Sequence, residues 1–471
     1  MAPRFIAVVD VGKTNAKVVL HDLEERRDIA LRSTGNAVVT DGPYPHFDVD
    51  RLFGFIVASL GEIGAQHPVD AVAITAHGAC AALVTENGLA LPVLDYEVDL
   101  AGPETDAYAR LRPDFAETLS PRMAKGLNLG NQIYWQQQRF PEAFAGVRHI
   151  LGYPQYWAWR LTGIAACEST PLGSHTDLWS PARDDFSSLV DRLGWRGLFP
   201  ERRSPFDMIG PLKPEIAEAT GLGPLPVTCG IHDSNASLLP HLLTRPAPFT
   251  VVSTGTWVVS FAIGGRPVPL EPAQGTLAYV DAFGRPVPSS LFMGGREFDM
   301  LTGGTATEPG EADIAAVIAQ GIIALPSFVA GSGPFPDRQG RWTTDVDALA
   351  PALRTAAASL YAALMTETVL RLTGADGPTV VEGPFARNAL FVRALEQLTG
   401  RQVEASASST GTSGGAALLA LGRPDKHVTT APKTPGAAAR PIQGLDLYAE
   451  RWRRLTAEDE PAAPVSMGRT G

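Results

Sequence analysis

The 471-residue sequence has only three cysteines, Cys80, Cys167 and Cys229, far apart and without a Cys-x-x-Cys pair or a zinc-like Cys/His spacing. That excludes a disulfide framework and points to a reducing compartment. Long apolar runs are also missing. The N-terminal run is broken by Asp10, and no stretch reaches about 18 uninterrupted apolar residues, so we expect neither a secretory leader nor a membrane span, and a cytoplasmic location. Basic charge is short as well: 39 Lys and Arg against 50 Asp and Glu leave a net charge of -11. A nucleic-acid binder needs a basic face, so no nucleic-acid partner is expected, although a local basic pocket for one nucleotide is allowed. One further absence is decisive. The stretch "VVDVGKTNAK", residues 8–17, ends its turn in Gly-Lys-Thr but lacks the glycine five positions before the Gly-Lys pair, where Ala7 stands. It is not a P-loop.

What is present is enough apolar side chain, 45% hydrophobic against 19% charged residues, to bury large cores. The length exceeds what one core supports, so two or three domains are expected. "FIAVVD" and "AKVVLHD" read as strands flanking a glycine turn. The same pattern returns half a chain later in "TVVSTGTWVVSF", residues 250–261. Either two hairpins resemble each other by chance, or the chain repeats a domain start.

Mixed α/β patterning fills both halves. "RLFGFIVASLGEIG" reads as a helix, "VDAVAITAHG" as a strand ending at His77, and the stretch around Asn87-Gly88 as a hairpin. Residues 103–163 read as a helical insertion, and Pro246 and Pro248 punctuate the hinge. In the second half, "PALRTAAASLYAALMTETVLRLTG" puts Leu353, Ala357, Leu360 and Leu364 on one helical face and stops at Gly374. Two β-turn-α units follow, which places ligand contacts at strand ends and helix N-termini. A Pro-rich linker and a short helix around Tyr448 to Leu455 precede a frayed tail.

Four stretches concentrate chemistry: "DVGKTN" at 10–15, "GIHDSNAS" at 230–237, "STGTW" at 253–257, and "EGPFARNAL" with "SSTGTSGGA" between 382 and 416. With their order, and with "LGYPQYWAWRLTG" between them, the sequence from Phe5 to Leu421 resembles the FGGY family of carbohydrate kinases, within the actin/hexokinase-like ATPase superfamily. The resemblance implies an α/β fold of two ribonuclease H-like (actin-like ATPase) domains with a central cleft. Residues 1–244 would form the N-terminal, sugar-binding domain, 245–456 the C-terminal, nucleotide-binding domain, and 457–471 a flexible tail. It implies ATP and Mg2+ as cofactors and a small sugar as substrate, and it leaves room for a homodimer.

Phosphoryl transfer needs in-line positioning and neutralisation of phosphate charge. By resemblance, Gly12, Lys13, Thr14, Asn15 and Lys17 in the first turn and Thr254, Gly255 and Thr256 in the second contact the phosphates. Glycine allows close backbone approach, and the hydroxyls and ammonium groups supply donors and charge. Asp10 takes the place of the Mg-associated aspartate; alone it would read as an ordinary turn residue. Lys13 departs from the small or hydroxyl residue more usual there. Asp233 is the expected general base and second metal-side carboxylate, accepting the proton of the attacking hydroxyl; a helix N-cap is the competing and compatible reading.

Gly383, Pro384, Asn388 and Gly411, with Gly414, correspond to the adenine and ribose wall, although Pro384-Phe385 replaces the usual small residues and removes an N–H donor. His77 and Glu97 are the sugar-side candidates, with a histidine satisfied inside the fold as the alternative for His77. Trp257 after Gly255-Thr256 looks like the L-rhamnulose and L-fuculose kinases, which points to a deoxyketohexose; a pentulose of the xylulose or ribulose type, or a polyol, is the alternative. Two other readings compete. Gly411-x-Ser413-x-Gly415 fits a hydrolase nucleophile elbow, with Asp425 and His427 as its only near partners. A non-catalytic nucleotide binder of the same superfamily would lack the base that Asp233 provides.

Overall fold

The computed structural model describes residues 2–406, 411–424 and 440–458. Among these the chain divides into two compact units: 2–246 with 278–286 and 411–424, and 247–277 with 287–406 and 440–458. The main crossing lies next to the expected boundary at 244/245, but two later segments, one of them carrying Gly411, cluster with the first unit. From residue 459 on, the expected tail lies outside the described residues, as do Asp425 and His427.

The first unit is built on a seven-stranded sheet. Phe5–Val11, Asn15–Asp22 and Arg27–Gly35 form an antiparallel meander, and Ala71–Ala76 lies parallel to the first strand on its other side. Pro226–Thr228 and Ile231–His232 both pair parallel with Ala71–Ala76. The first strand is buried on both faces, which is why it reads as a continuous apolar run up to Asp10. Its residues divide by period two: Ala7, Val9 and Val11 pack with the helices Val49–Gly64 and Tyr153–Thr162, while Ile6 and Val8 pack with the helices Asp233–Thr244 and Gly411–Leu418. Asp10 continues the Ile6–Val8 face at the strand's C-terminal end. Alternation alone therefore aims it at the side of the sheet where the helix beginning at Asp233 lies.

Helix Val49–Gly64 starts where Asp48 accepts a hydrogen bond from the Arg51 N–H at 3.2 Å. Of the expected insertion, Pro103–Leu111 and Leu129–Arg139 pack in a separate core that includes Trp179 and Trp195, whereas His149–Gly152 is a strand paired with Ala81–Val84 and Tyr153–Thr162 packs on the first sheet. The Asn87-Gly88 turn also forms, with Thr85 N–H donating to Gly88 O at 2.7 Å. The hinge is shorter than the prolines suggested. Helix Asp233–Thr244 runs through Pro240 and stops before Pro246.

In the second unit, Phe249–Thr254 pairs antiparallel with Val258–Ile263 and parallel with Thr379–Glu382, which in turn pairs parallel with Val403–Ala405. Val252 thus faces Ser260 on one side and Val381 on the other, as Val9 faces Val18 and Ile74 in the first unit. The likeness of the two hairpins extends to their sheet topology. Helix Pro351–Leu372 departs from the one-faced pattern: residues 355–366 are buried all round, because Ala, Ser and Thr turn after turn let neighbours approach every side.

Candidate active site

The first unit brings Asp10, His77 and Asp233 to one end of its sheet. Asp10 stands opposite Lys17 in the hairpin and beside Thr75 on the parallel strand. Its carboxyl is 9% exposed and is pushed up to about 7, first by burial and then by the Asp233 charge, against a smaller lowering by Lys17. Asp233 is the first residue of its helix rather than the N-cap, a position that His232 occupies. Its Oδ1 accepts from the Ser234 N–H at 2.6 Å, and the side chain is 32% exposed. Burial raises the Asp233 carboxyl, opposed by His77 and by the hydrogen bonds from Ser234.

His77 is buried among the rings of Phe47, Tyr96 and Tyr153, with centroid separations of 5.3, 5.6 and 4.9 Å. Its Nδ1 lies 2.9 Å from Gly78 O. A carbonyl only accepts, so Nδ1 carries the proton and Nε2 is left as an acceptor. That Nε2 is buried and without a partner. Burial, the largest influence, lowers His77 to about 4, so the ring stays neutral at ordinary pH. The neighbouring buried polar atoms Thr75 Oγ1, His232 Nδ1 and both side-chain ends of Asn235 also lack partners. Buried polar atoms without a partner are uncommon in a folded chain, so each of these calls for an explanation.

His232, which the sequence reading passed over, sits beneath this site. Its Nε2 is 3.6 Å from Asp233 Oδ1, its ring packs 6.1 Å from that of Tyr279, and its N–H donates to Thr170 Oγ1 at 3.0 Å. Gly78 makes room for it: a Cβ there would lie 2.4 Å from His232 Nε2. Thr170 is held by Glu168, whose fully buried carboxyl accepts from the Thr170 N–H at 3.0 Å and from its hydroxyl.

The remaining first-unit candidates fall into two groups. Gly12 closes the turn, its N–H donating to Asn15 O at 2.9 Å, and leaves Thr14, Asn15 and Lys17 exposed. Lys13 departs from the expectation of a phosphate-facing lysine. Its ammonium is paired with Asp95 and lies 4.8 Å and 4.9 Å from the ring centres of Phe47 and Tyr96. Glu97 is exposed, and its N–H donates to Asp95 Oδ1 at 3.1 Å. Asp95, two residues before the expected acid, is the carboxylate the fold draws inward. Gly411 clusters with the first unit as the start of helix Gly411–Leu418, while Gly383, Pro384 and Asn388 cluster with the second. Ser413 is buried in that helix.

The second unit holds a cavity of about 620 Å³ lined by Gly255, Thr256, Phe298, Pro384, Phe385 and Asn388. That volume falls in the range of small-molecule sites. Thr254 and Gly383 lie under its wall. Thr254 Oγ1 donates to Glu382 O and accepts from the Phe385 N–H at 3.1 Å, which ties the hairpin to the turn at Gly383. Asn388 caps helix Ala389–Thr399 by accepting from the Phe391 N–H at 3.0 Å, and its Nδ2 donates to Ser359 Oγ at 2.9 Å. Pro384 begins a short 3₁₀ turn, where its missing N–H costs nothing, and Phe385 packs between Phe298 and Phe391.

Residues 5–240 match the N-terminal domain of the FGGY family of carbohydrate kinases, and residues 246–430 match the carbohydrate kinase FGGY C-terminal domain. The chain belongs to the FGGY family of carbohydrate kinases. This kinase is 35% identical to a carbohydrate kinase from Novosphingobium aromaticivorans of solved structure, with a TM-score of 0.86 over 97% of this chain and 99% of that one. It shares the fold of the xylulose kinase from Rhodospirillum rubrum, at 19% identity and a TM-score of 0.77 over 96% and 98% of the two chains. A rhamnulokinase from Halalkalibacterium halodurans is 23% identical over 271 residues, 53% of this chain and 54% of that protein, so the match spans about half of the relative's length. The family is one of phosphotransferases that take ATP, and membership displaces the hydrolase reading of Ser413. Among the described residues, no helix is long and apolar enough to cross a membrane.

Proposed function

We propose that this FGGY kinase transfers the γ-phosphoryl group of ATP to a hydroxyl of a small ketose, a 6-deoxyketohexose such as L-rhamnulose or L-fuculose before a pentulose or polyol. The observation that carries the reading is the juxtaposition, in one unit, of a raised Asp233 carboxyl and a buried His77 whose Nε2 has no partner. His77 accepts a hydrogen bond from an acceptor hydroxyl and orients it. Asp233 takes the proton of the attacking hydroxyl as the bond to phosphorus forms, and a base raised above the ordinary carboxylate range is better matched to that task. The rings of Phe47, Tyr96 and Tyr153 offer an apolar wall for the C–H faces of a sugar and for a terminal methyl. The deoxyketohexose preference is further supported by the rhamnulokinase likeness and by the exposed Trp257 that follows the second glycine turn.

Mg2+ fits the residues present. Among the described residues no group of three or more His, Cys, Asp or Glu could cage a metal, but this ion needs only one or two carboxylates beside phosphate and water. Asp10, buried, and Asp233, partly exposed, whose charges repel, would hold it. The ion supplies neutralisation of phosphate charge. On the nucleotide side, the second-unit cavity receives the nucleoside, with Phe298 and Phe385 as its apolar lining and Gly255-Thr256 as backbone and hydroxyl donors toward phosphate.

The test is ADP release from ATP·Mg with a panel of 6-deoxyketohexoses, pentuloses, aldoses and polyols. The highest kcat/KM is expected with a 6-deoxyketohexose. Turnover of a pentulose or polyol alone would replace the substrate assignment, and no turnover with any acceptor would remove the reading.

A further inference from the structure

Lys13 is the residue at which the opening turn breaks its family pattern, and the structure gives it an unexpected setting. Thr14, Asn15 and Lys17 on the same turn are exposed, as groups that meet a diffusing phosphate should be. Lys13 instead folds back. Its ammonium is paired with Asp95, whose side chain is only 8% exposed, and lies against the faces of Phe47 and Tyr96. Swinging it to a phosphate would leave a nearly buried carboxylate without its counter-charge and forfeit two cation–π contacts, both unfavourable.

The two rings that hold Lys13 are also rings that enclose His77: Phe47 and Tyr96 lie 5.3 and 5.6 Å from the imidazole. Lys13 and the unpartnered His77 Nε2 therefore belong to one aromatic box in the first unit. We propose that Lys13 is a specificity-determining residue for the acceptor and not a phosphate ligand, forming with Asp95 a donor–acceptor pair that reads two neighbouring hydroxyls of the ketose. The chemistry suits that role. An ammonium has three N–H donors, of which Asp95 engages one, and its side chain remains 23% exposed. A carboxylate accepts at several lone pairs, so one sugar oxygen receives a hydrogen bond from Lys13 while the next hydroxyl donates to Asp95. A site built in this way rejects an analogue lacking either hydroxyl, because the charged pair is then left under-satisfied in a largely buried box. The inference rests on the assignment of the first unit as the acceptor side.

The experiment measures KM for the preferred ketose and for ATP separately in wild type, Lys13→Met and Asp95→Asn. Lys13→Met leaves Asp95 charged and nearly buried, so the double variant Lys13→Met/Asp95→Asn, which removes both charges, is measured alongside. A ketose KM raised tenfold or more, with the ATP KM within twofold of wild type, is expected in all variants that fold. A raised ATP KM with the ketose KM unchanged would return Lys13 to the phosphates and overturn the proposal, and so would two unchanged constants, which would make the pair merely structural. If wild type turns over no acceptor, the kinase assignment itself falls and this inference with it; failure confined to the variants overturns only the inference.

Discussion

Asp10 and Lys17 are opposite partners in the register of the first antiparallel pair, yet the Asp10 carboxyl is pushed up to about 7. Burial at 9% exposure and the charge of Asp233 outweigh the one cation, which is itself exposed. A strand end that keeps two acids near each other in a partly dry site carries a local cost that the fold does not require. Carboxylates so placed mark a site that expects cationic company.

Asp10→Asn should therefore separate stability from function. At pH 8, where the native carboxyl is ionised, the amide removes a buried charge and its repulsion with Asp233, and the melting temperature should rise, by about 2–4 °C for each kcal/mol relieved in a unit of this size. Phosphoryl transfer should fall by about 100-fold or more, as when one element of electrostatic stabilisation is deleted. Differential scanning fluorimetry and a coupled ADP assay on the same preparation check both arms. A drop in melting temperature would contradict the electrostatic account.

Glu168 offers a pH test away from the reacting groups. Its carboxyl is completely buried and pushed up to about 7 by that burial, despite hydrogen bonds from Thr170 and Ser169. The acid's value in the fold is above its unfolded value of about 4.5. Its contribution to stability is thus fully present below about 4.5 and is lost as pH rises through about 7. Glu168→Gln, which cannot ionise, should gain on wild type between pH 5.5 and pH 8.5 in the midpoint of urea unfolding. A difference that does not change with pH would show that the carboxyl titrates elsewhere.

Gly383 carries the turn beneath the second-unit cavity at φ 80°. A Cβ there would lie 1.9 Å from Thr254 O. Gly383→Ala must strain the backbone and push the Phe385 turn off the hairpin, at a cost of about 1–3 kcal/mol. The expected result is a lower melting temperature and a severalfold higher KM for ATP, with the KM for the ketose unchanged. Parallel shifts in both constants would place the turn's role elsewhere.

Much of this architecture was legible because period and punctuation carry it. The apolar run before Asp10 reads as a strand, its even-numbered side chains share one face, and the likeness between residues 8–14 and 251–256 reappears as matching sheet topology. What the sequence left hidden depends on contacts across long separations. Asp95 and Lys13 are brought together by the fold, and nothing in "LPVLDYEVD" says that Asp95 turns inward while Glu97 stays in solvent. Asn388 lines the second-unit cavity, but its helix cap and its hydrogen bond to Ser359 Oγ leave no mark in the motif. His232 was invisible because its importance lies in packing against Gly78 and in the hydrogen bond to Thr170, neither of which leaves a local pattern. The all-round burial of Pro351–Leu372 likewise follows from what surrounds the helix.

In the proposed mechanism Asp233 accepts the acceptor's proton. Its most direct measurement is Asp233→Asn, which keeps the size and the helix start while removing the base, followed by coupled ADP release with the preferred ketose and by calorimetric titration with ATP·Mg. We predict a kcat lowered by about 100- to 10,000-fold, the range spanned by general-base deletions, while ATP·Mg affinity, which Asp10 still serves, falls by far less than kcat. A variant that turns over at the native rate would contradict the mechanism.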